Sequence, residues 1–430
     1  MKNEEKKLTF IDLFAGCGGL SLGAIKAGFV GKFAIEYQKN AFETLKFNLI
    51  ERKEDELIKY GIKRFEWPED LPITNFDIKE LLKNKKEFLK SLNGKIDLVV
   101  GGPPCQGFSN AGKRNENDPR NQLYKSYLSF INLVNPKILI IENVAGIASK
   151  FSQSSASYKD NIINKLKSKY YVDGKLISSE IFGVPQKRKR YIILGFSKSH
   201  FKNSNIDLKS IFKNIELDSI EFSSKYESYG RQFNLSQTNV NQAIGDLDGG
   251  DMQPIIYSDE NAKSKSYTSF EYKKSESDYQ DLMRYGCENK TQIDSHRIGI
   301  HGSLTTAKYK RLIEISRDNN RNRVGFGFSK DELDLANWDS KKQIINVLKS
   351  ENQSPTLTTC PFDYIHYRIP RILTVREFAR IQSFPDWYEF KGIYATSGSL
   401  SYTTPRYSQI GNAVPPLMAE SIIRTLKTYL

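Results

Sequence analysis

The stretch Leu8-Thr9-Phe10-Ile11-Asp12-Leu13-Phe14-Ala15-Gly16-Cys17-Gly18-Gly19 decides how this chain is read. A short apolar run meets a glycine-rich turn, and a helical stretch closed by Gly28 follows. Strand, glycine turn and helix open an α/β unit, and glycines at such a turn let a ligand approach the backbone closely. Residues 32–36 read as the next strand, ending in Glu36, where a carboxylate can hold both hydroxyls of a ribose. A nicotinamide-binding unit also carries an acid about 20 residues on, but Gly16-Cys17-Gly18-Gly19 departs from its G-x-G-x-x-G turn. A tight turn with no ligand is the plainer alternative.

Outward from that stretch the alternation continues. Residues 96–100 form a β-branched run ending in Gly101-Gly102-Pro103-Pro104, residues 137–141 form another ending in Glu142-Asn143, and residues 191–195 a further one. Buried runs alternating with helices predict a doubly wound α/β domain whose sheet is mostly parallel and covered on both faces. From 199 to 350 the chain turns polar, rich in Ser, Asn, Lys and Tyr, with weak periodicity; its continuing aromatics predict a separate irregular module rather than disorder. Regularity returns near Ser354. Thr374-Val375-Arg376-Glu377 is a capping box with Phe378, Ile381 and Phe384 behind it, and Pro415-Pro416 opens a last helix carrying Leu417, Ile422 and Leu426. The expected division is a large domain of residues 1–198 plus 404–430 and a smaller one of 199–403.

The chain of 430 residues, 39% hydrophobic, is long enough for one large core and a smaller second one. Its 64 Lys and Arg exceed its 50 Asp and Glu, and the net charge of +14 suits a polyanionic partner such as nucleic acid. A lysine-rich solvated surface accounts for the same charge. No apolar run approaches the roughly 20 residues of a membrane span, and residues 1–9 hold no apolar signal core. Cys17, Cys105, Cys287 and Cys360 are not at metal-ligand spacing and the histidines form no cluster, so no metal is expected. Sparse, scattered cysteines fit a reducing cytoplasm.

The chemistry-bearing residues sit at strand ends. Gly102-Pro103-Pro104-Cys105-Gln106-Gly107-Phe108-Ser109 follows a buried strand directly, which puts a thiol where α/β folds bind ligands. Such a thiol is a nucleophile if its pKa is lowered; a lone cysteine is more often a core residue, but this polar, sharply turned setting suits a core poorly. Glu142 ends the neighbouring run. A cysteine beside a carboxyl suggests attack on an electron-poor ring whose nitrogen the acid protonates. In Gln186-Lys187-Arg188-Lys189-Arg190, extended alternation puts Gln186, Arg188 and Arg190 on one face, suited to a carbonyl oxygen and phosphates, or simply to a solvated edge.

Together these motifs resemble the cytosine-5 DNA methyltransferase family of bacterial type II restriction-modification systems. The resemblance rests on Phe-Ala-Gly-Cys-Gly-Gly, Pro-Pro-Cys-Gln, Glu-Asn-Val, Gln-x-Arg-x-Arg, Arg-Glu-Phe-Ala-Arg-Ile-Gln-Ser-Phe-Pro and Gly-Asn-Ala-Val-Pro-Pro, across most of residues 8–196 and 354–430. It implies a Rossmann-like S-adenosylmethionine-dependent catalytic domain and a target-recognition region at about 199–350. Phe14, Ala15, Gly16, Cys17, Gly18 and Gly19 then line the S-adenosylmethionine site, with Glu36 on the ribose and Tyr37 against the adenine. Asp77 and Ile78 contact the adenine, although Phe76 replaces the usual preceding glycine, and Pro104, Asn412 and Ala413 complete the site. Asn412 also ties the last helix back toward the active site. Cys105 is the implied nucleophile, Glu142 the acid on the base, and Arg188 and Arg190 their supporting arginines. Residues 106–121 match a loop that closes over DNA. The implied partner is double-stranded DNA. A cognate restriction endonuclease is paired in function only; the enzyme is a cytoplasmic monomer with no membrane, releasing S-adenosylhomocysteine. An RNA cytosine-5 methyltransferase shares this site but lacks so long a variable module, and an inactive DNA-binding regulator would have no need of Cys105 and Glu142.

Overall fold

The computed structural model describes residues 7–104, 122–149, 157–249, 255–258, 266–288, 290, 293–318, 328–338, 345–394 and 404–430. In β1 (Thr9–Leu13) the four residues after Thr9 are buried. A strand hidden on both faces has no reason to alternate, which explains its continuous apolar run. The strands that follow are β2 (Val30–Ile35), β3 (Leu98–Gly101), β4 (Ile138–Val144), β5 (Tyr170–Ser178), β6 (Gln186–Lys187) and β7 (Lys189–Ser197). Six of them form one sheet in the order β2-β1-β3-β4-β7-β5. β1 pairs in parallel with β2 and β3, and β3 with β4. β7 runs antiparallel to both β4 and β5. The sheet is therefore mixed, with one strand reversed. β5 escapes sequence reading because most of its residues are only partly buried, so no apolar run marks it.

β2 and β3 flank β1 on opposite sides, so the winding reverses at β1. The loops leaving the carboxyl ends of β1 and β3 thus open at a topological switch point, the place where open α/β sheets take their ligands. On one side of the sheet Ile11, Leu13, Phe33, Ile35, Val99 and Ile141 pack with Tyr127 and Ile131 of the helix Leu123–Val134. The helix Gly19–Lys26 packs against the final helix, Pro416–Lys427. A Cβ on Gly19 would lie 2.2 Å from the Val414 carbonyl oxygen, and one on Gly23 would lie 2.4 Å from Cβ of Ala419. Only glycines allow that approach.

The chain divides into two compact units. The first comprises residues 1–182, 189–223 and 413–430; the second comprises 183–188 and 224–412. These dividing lines differ from those drawn at 198 and 404. The helix Leu208–Ser224 lies almost wholly in the first unit, where Asp218 accepts a hydrogen bond from Thr425 at 2.7 Å. Residues 404–412 fall in the second, where Tyr407 donates to the Leu373 carbonyl.

The second unit is built from helices, Ser303–Asp318 among them, and two-stranded pairs such as Gln186–Lys187 with Ser354–Pro355. One apolar cluster gathers Tyr309, Leu312, Ile313, Ile345, Ile365 and Ile372. Its other centre is charged. The expected capping box is present: Thr374 accepts from the Glu377 N–H, and Glu377 accepts from the Thr374 N–H at 2.7 Å. Arg376, Glu377 and Arg380 of the helix Val375–Ile381 are fully buried. Arg371 pairs with Glu377 through two bonds of 2.7 Å, and Arg380 bridges Asp246 and Asp386. Buried charges persist only when paired in this way.

Candidate active site

The first half of the site lies where β1 and β2 end. Phe14 has φ +60° and Gly16 φ +57°. A positive φ is uncommon for an aromatic residue, and such strain gathers at ligand-binding turns. The space where a Gly16 Cβ would sit is open, with nothing within 4 Å. Glu36 ends β2, partly buried: its Oε2 accepts from the Gly16 N–H at 2.8 Å and its Oε1 from the Gln38 N–H at 2.7 Å. Burial pushes its pKa up, and these backbone donors pull it back. A carboxylate offers about four lone-pair sites, so these backbone bonds leave capacity for a ligand's hydroxyl. The Tyr37 side chain is 65% exposed beside it. Asp77 caps the helix Ile78–Asn84 through Lys79 N–H at 2.8 Å. Its segment is fastened to the end of β2, since Phe76 N–H donates to the Glu36 carbonyl and Asn75 to the Tyr37 carbonyl. The open glycine turn, carboxylate and exposed ring suit a nucleoside carrying a small chain.

At two of the expected cofactor positions the side-chain direction is taken up by the protein itself. The Cys17 side chain is fully buried, and burial pushes its thiol pKa up, so only its backbone can meet a ligand. Gly19 is needed by the Val414 carbonyl. Asp12 was not singled out by the sequence. It is fully buried, accepts from the Ser21 hydroxyl at 2.6 Å, and is pushed up to about 7, first by burial and further by Glu36. A lone carboxylate inside an apolar strand was the available signal.

The second half lies where β3, β4 and β7 meet. Register places Gly101 beside Ile141, so Glu142 stands level with Gly102. Oε2 of Glu142 would be 3.0 Å from a Cβ on Gly102. Arg190 pairs with Val144, diagonal to Glu142, and donates from Nε to Oε1 of Glu142 at 2.8 Å. Asn143 donates to the Pro103 carbonyl at 2.9 Å, fixing the turn that leads past Pro104. The buried carboxyl is thus held on one oxygen by Arg190 and turns the other toward the Gly-Pro-Pro turn. Cys105, the next residue in the sequence, and residues 106–121, expected to close over DNA, lie outside the described residues.

The extended run breaks at Arg188, because its N–H turns back to the Gln186 carbonyl, so strict alternation does not carry from Gln186 to Arg190. The buried Arg188 guanidinium donates to the carbonyls of Leu357 at 3.2 Å and Gly411 at 2.8 Å, within the second unit. Gln186 is buried beside Leu357, whose N–H donates to it. Asn412 is exposed at the end of the helix Arg406–Asn412, and Ala413 is buried. Among the described residues no group of histidines, cysteines and carboxylates is suited to a metal ion, and no helix is long and apolar enough to cross a membrane.

The profile of the C-5 cytosine-specific DNA methylase family matches residues 8–428. Type II methyltransferase M.DdeI of Desulfomicrobium norvegicum is 32% identical, over 98% of this chain and 89% of its own. Type II methyltransferase M.XorII of Xanthomonas oryzae pv. oryzae is 28% identical, over 96% and 82%. A crystal structure of a prophage-encoded E. coli protein, named as a DNA modification methyltransferase, matches with a TM-score of 0.62 and 25% identity, covering 98% of this chain and 99% of that one.

Proposed function

Because the chain belongs to the C-5 cytosine-specific DNA methylase family, we propose that it methylates carbon 5 of a cytosine flipped out of double-stranded DNA at a specific sequence, through a covalent adduct on Cys105. The observation that carries this reading is Glu142, braced by Arg190 and turned toward Gly102, three residues before Cys105 in the sequence. S-adenosylmethionine, when bound, supplies the electrophilic methyl group. Glu36 would take its ribose hydroxyls, Tyr37 and Asp77 its adenine, and the Phe14–Gly18 turn its remaining chain.

A cytosine inside a duplex hides its ring, so it must leave the stack at a cost of a few kcal/mol. The Cys105 thiolate adds to carbon 6. Glu142 shares a proton with the ring nitrogen and accepts from the exocyclic amine, so charge from the addition is neutralised and the enamine forms. Carbon 5 then takes the methyl group. Loss of the carbon 5 proton expels the thiolate and restores the ring. Arg190 is a positioning residue: its bond to Oε1 fixes which oxygen faces the base. The product cofactor is S-adenosylhomocysteine. The enzyme works as a cytoplasmic monomer and guards host DNA against a cognate endonuclease, with residues of the 199–350 region reading the target.

The test is a trap. DNA carrying 5-fluorocytosine has no proton to lose at carbon 5, so the adduct should persist on a denaturing gel, and Cys105→Ala should abolish both adduct and turnover. An active enzyme that leaves no adduct refutes the covalent route.

A further inference from the structure

Within the first unit, lysines gather at the end of the sheet away from Glu36 and Glu142. β4 runs parallel to β3, and β7 runs antiparallel to β4 and β5. Residues 93–97, 132–137 and 167–169, which lead into β3, β4 and β5, therefore meet the chain that leaves β7 at 198–209. Backbone bonds fasten these four segments into one floor. Gly94 N–H donates to the Val134 carbonyl at 2.9 Å and Lys137 N–H to that of Ile96 at 3.0 Å. Ser197 N–H donates to the Lys137 carbonyl at 2.8 Å and Lys198 N–H to that of Lys169 at 2.9 Å. The whole chain carries 64 basic against 50 acidic residues, but these segments carry seven lysines against two acids. Both acids are engaged. Asp97 holds Lys137 at 2.6 Å and the Thr9 N–H at 2.8 Å, and Asp207 accepts from Ser210 at 2.6 Å and from the Lys209 N–H at 3.0 Å. Lys95, Lys167, Lys169 and Lys202 are exposed and form no ion pair among the described residues; Lys169 uses one donor on Asn132. Asn132, Ser168 and Asn203 are exposed beside them, and the apolar side chains of these segments are all buried or half-buried.

We infer that this face holds the phosphate backbone of a second stretch of duplex DNA while the first is engaged at the catalytic strand ends; this rests on the DNA-methylating reading above. Lysine ammonium groups act on phosphates as point charges, and asparagine and serine side chains donate to the same oxygens. Such contacts carry no sequence information, so a floor of lysines suits any duplex. An acidic protein would need apolar or aromatic anchors at the centre of its interface, and this face offers none. Lys137 and Glu142 stand five residues apart on the chain, roughly 17 Å along a strand. A duplex that gives up a base to Glu142 therefore lies at the other end of the strands. Duplex DNA stays stiff over about 150 base pairs, so the phosphates that reach the lysine floor belong to another segment. Held at two faces, the enzyme passes from one segment to the next without letting go of both.

The experiment counts duplexes on the full chain. Wild type and a variant combining Lys95→Gln, Lys167→Gln, Lys169→Gln and Lys202→Gln are titrated with a short duplex that carries a site wild type methylates. At about 20 base pairs it is too stiff to wrap round the molecule. At low salt wild type should take two duplexes and the variant one. The second binding should weaken with salt at a log–log slope of about −3 to −4, as four phosphate contacts require. The same four positions changed to arginine should keep it. Both variants should match wild type in kcat and KM on the short duplex, because the four lysines stand away from the catalytic end. One duplex per wild-type chain, or two on the glutamine variant, overturns the inference. Polyglutamate that displaces the second duplex as well as unlabelled DNA of equal charge does would assign the face to an acidic protein, and overturns it too. A wild-type chain that methylates no member of a duplex library randomised around cytosine fails the functional reading, a result read separately from the count, and the inference falls with it.

Discussion

At the scale of single residues, Glu36 shows how one carboxylate serves two structures at once. It closes the β1 turn through Gly16 and opens the next helix through Gln38. On the proposed reading, removing it costs a ribose contact as well. Hydrogen bonds to a charged group contribute roughly 1.5–3 kcal/mol, so Glu36→Ala should weaken S-adenosylmethionine binding by about tenfold to a hundredfold. Unchanged affinity by calorimetry would reject Glu36 as the ribose ligand. Glu36 and Glu142 were legible in the sequence because a carboxylate ending a buried run has one obvious place to go. Arg188 was not: its partners lie 169 and 223 residues away, as backbone carbonyls that no side-chain pattern reveals. Gly19 was legible as a glycine needing close approach, but the approaching group is the Val414 carbonyl.

At the scale of elements, the strands at 9–13, 98–101 and 138–144 were readable as apolar runs, but the reversal of β7 was not. A strand buried on both faces has the same composition whichever way it points. The contact between the helices Gly19–Lys26 and Pro416–Lys427 gives a direct test. A Cβ at Gly23 would fall 2.7 Å from Glu420 N and 2.9 Å from Pro416 O, backbone atoms that cannot swing aside. Overpacking of this kind costs about 1–3 kcal/mol, against a helix-propensity gain of about 1 kcal/mol for alanine. Gly23→Val, which adds bulk without that gain, should melt several degrees below wild type and below Gly23→Ala; equal melting temperatures would mean that the helices are not in close contact.

The helix Val375–Ile381 makes its own prediction about acid. Buried His366 and His296 are held down to about 3 and 4, first by burial, with Arg371 adding to it and Glu377 opposing. Their folded pKa values lie below the ordinary 6.5. The unfolded chain therefore takes up protons first as pH falls. Their stabilisation is complete above 6.5 and drains away between 6.5 and about 3–4, at about 1 kcal/mol per pH unit for each histidine. Glu377, lowered to about 2, adds a loss of the same sign below 4.5. As pH drops from 7.5 to 5.5 the histidines pull the melting temperature down while Asp12, raised to about 7, pulls it up, so their share is read from the difference between wild type and a histidine variant. His366→Asn preserves an acceptor for the Arg368 and Ile369 N–H groups and should lose the His366 part of the downward pull. Identical slopes in the two proteins would remove His366 from the account.

At the scale of the whole molecule, the motifs read from the sequence as catalytic fall mainly in the first unit, and the chain between them follows a different pattern, without a catalytic motif. Exchanging residues 224–350 with the corresponding segment of a relative of known target should transfer that target to the hybrid. The exchange starts at 224 because residues 189–223 belong to the first unit. Bisulfite sequencing of an active hybrid that still marks its old sites would place recognition elsewhere.

The close fit of Gly19 and Gly23 to the segment beginning at Ala413 also has a consequence in time. The first unit is assembled from three separate parts of the chain, and the first and last of them carry these helices. A ribosome adding about 5–20 residues per second needs roughly 20–80 s to travel from Gly23 to Ala419. Throughout that interval the nascent helix behind the glycine turn stands beside an empty berth. The first unit is therefore finished late in synthesis, and a chain released before Pro416 would present an apolar groove to chaperones and proteases.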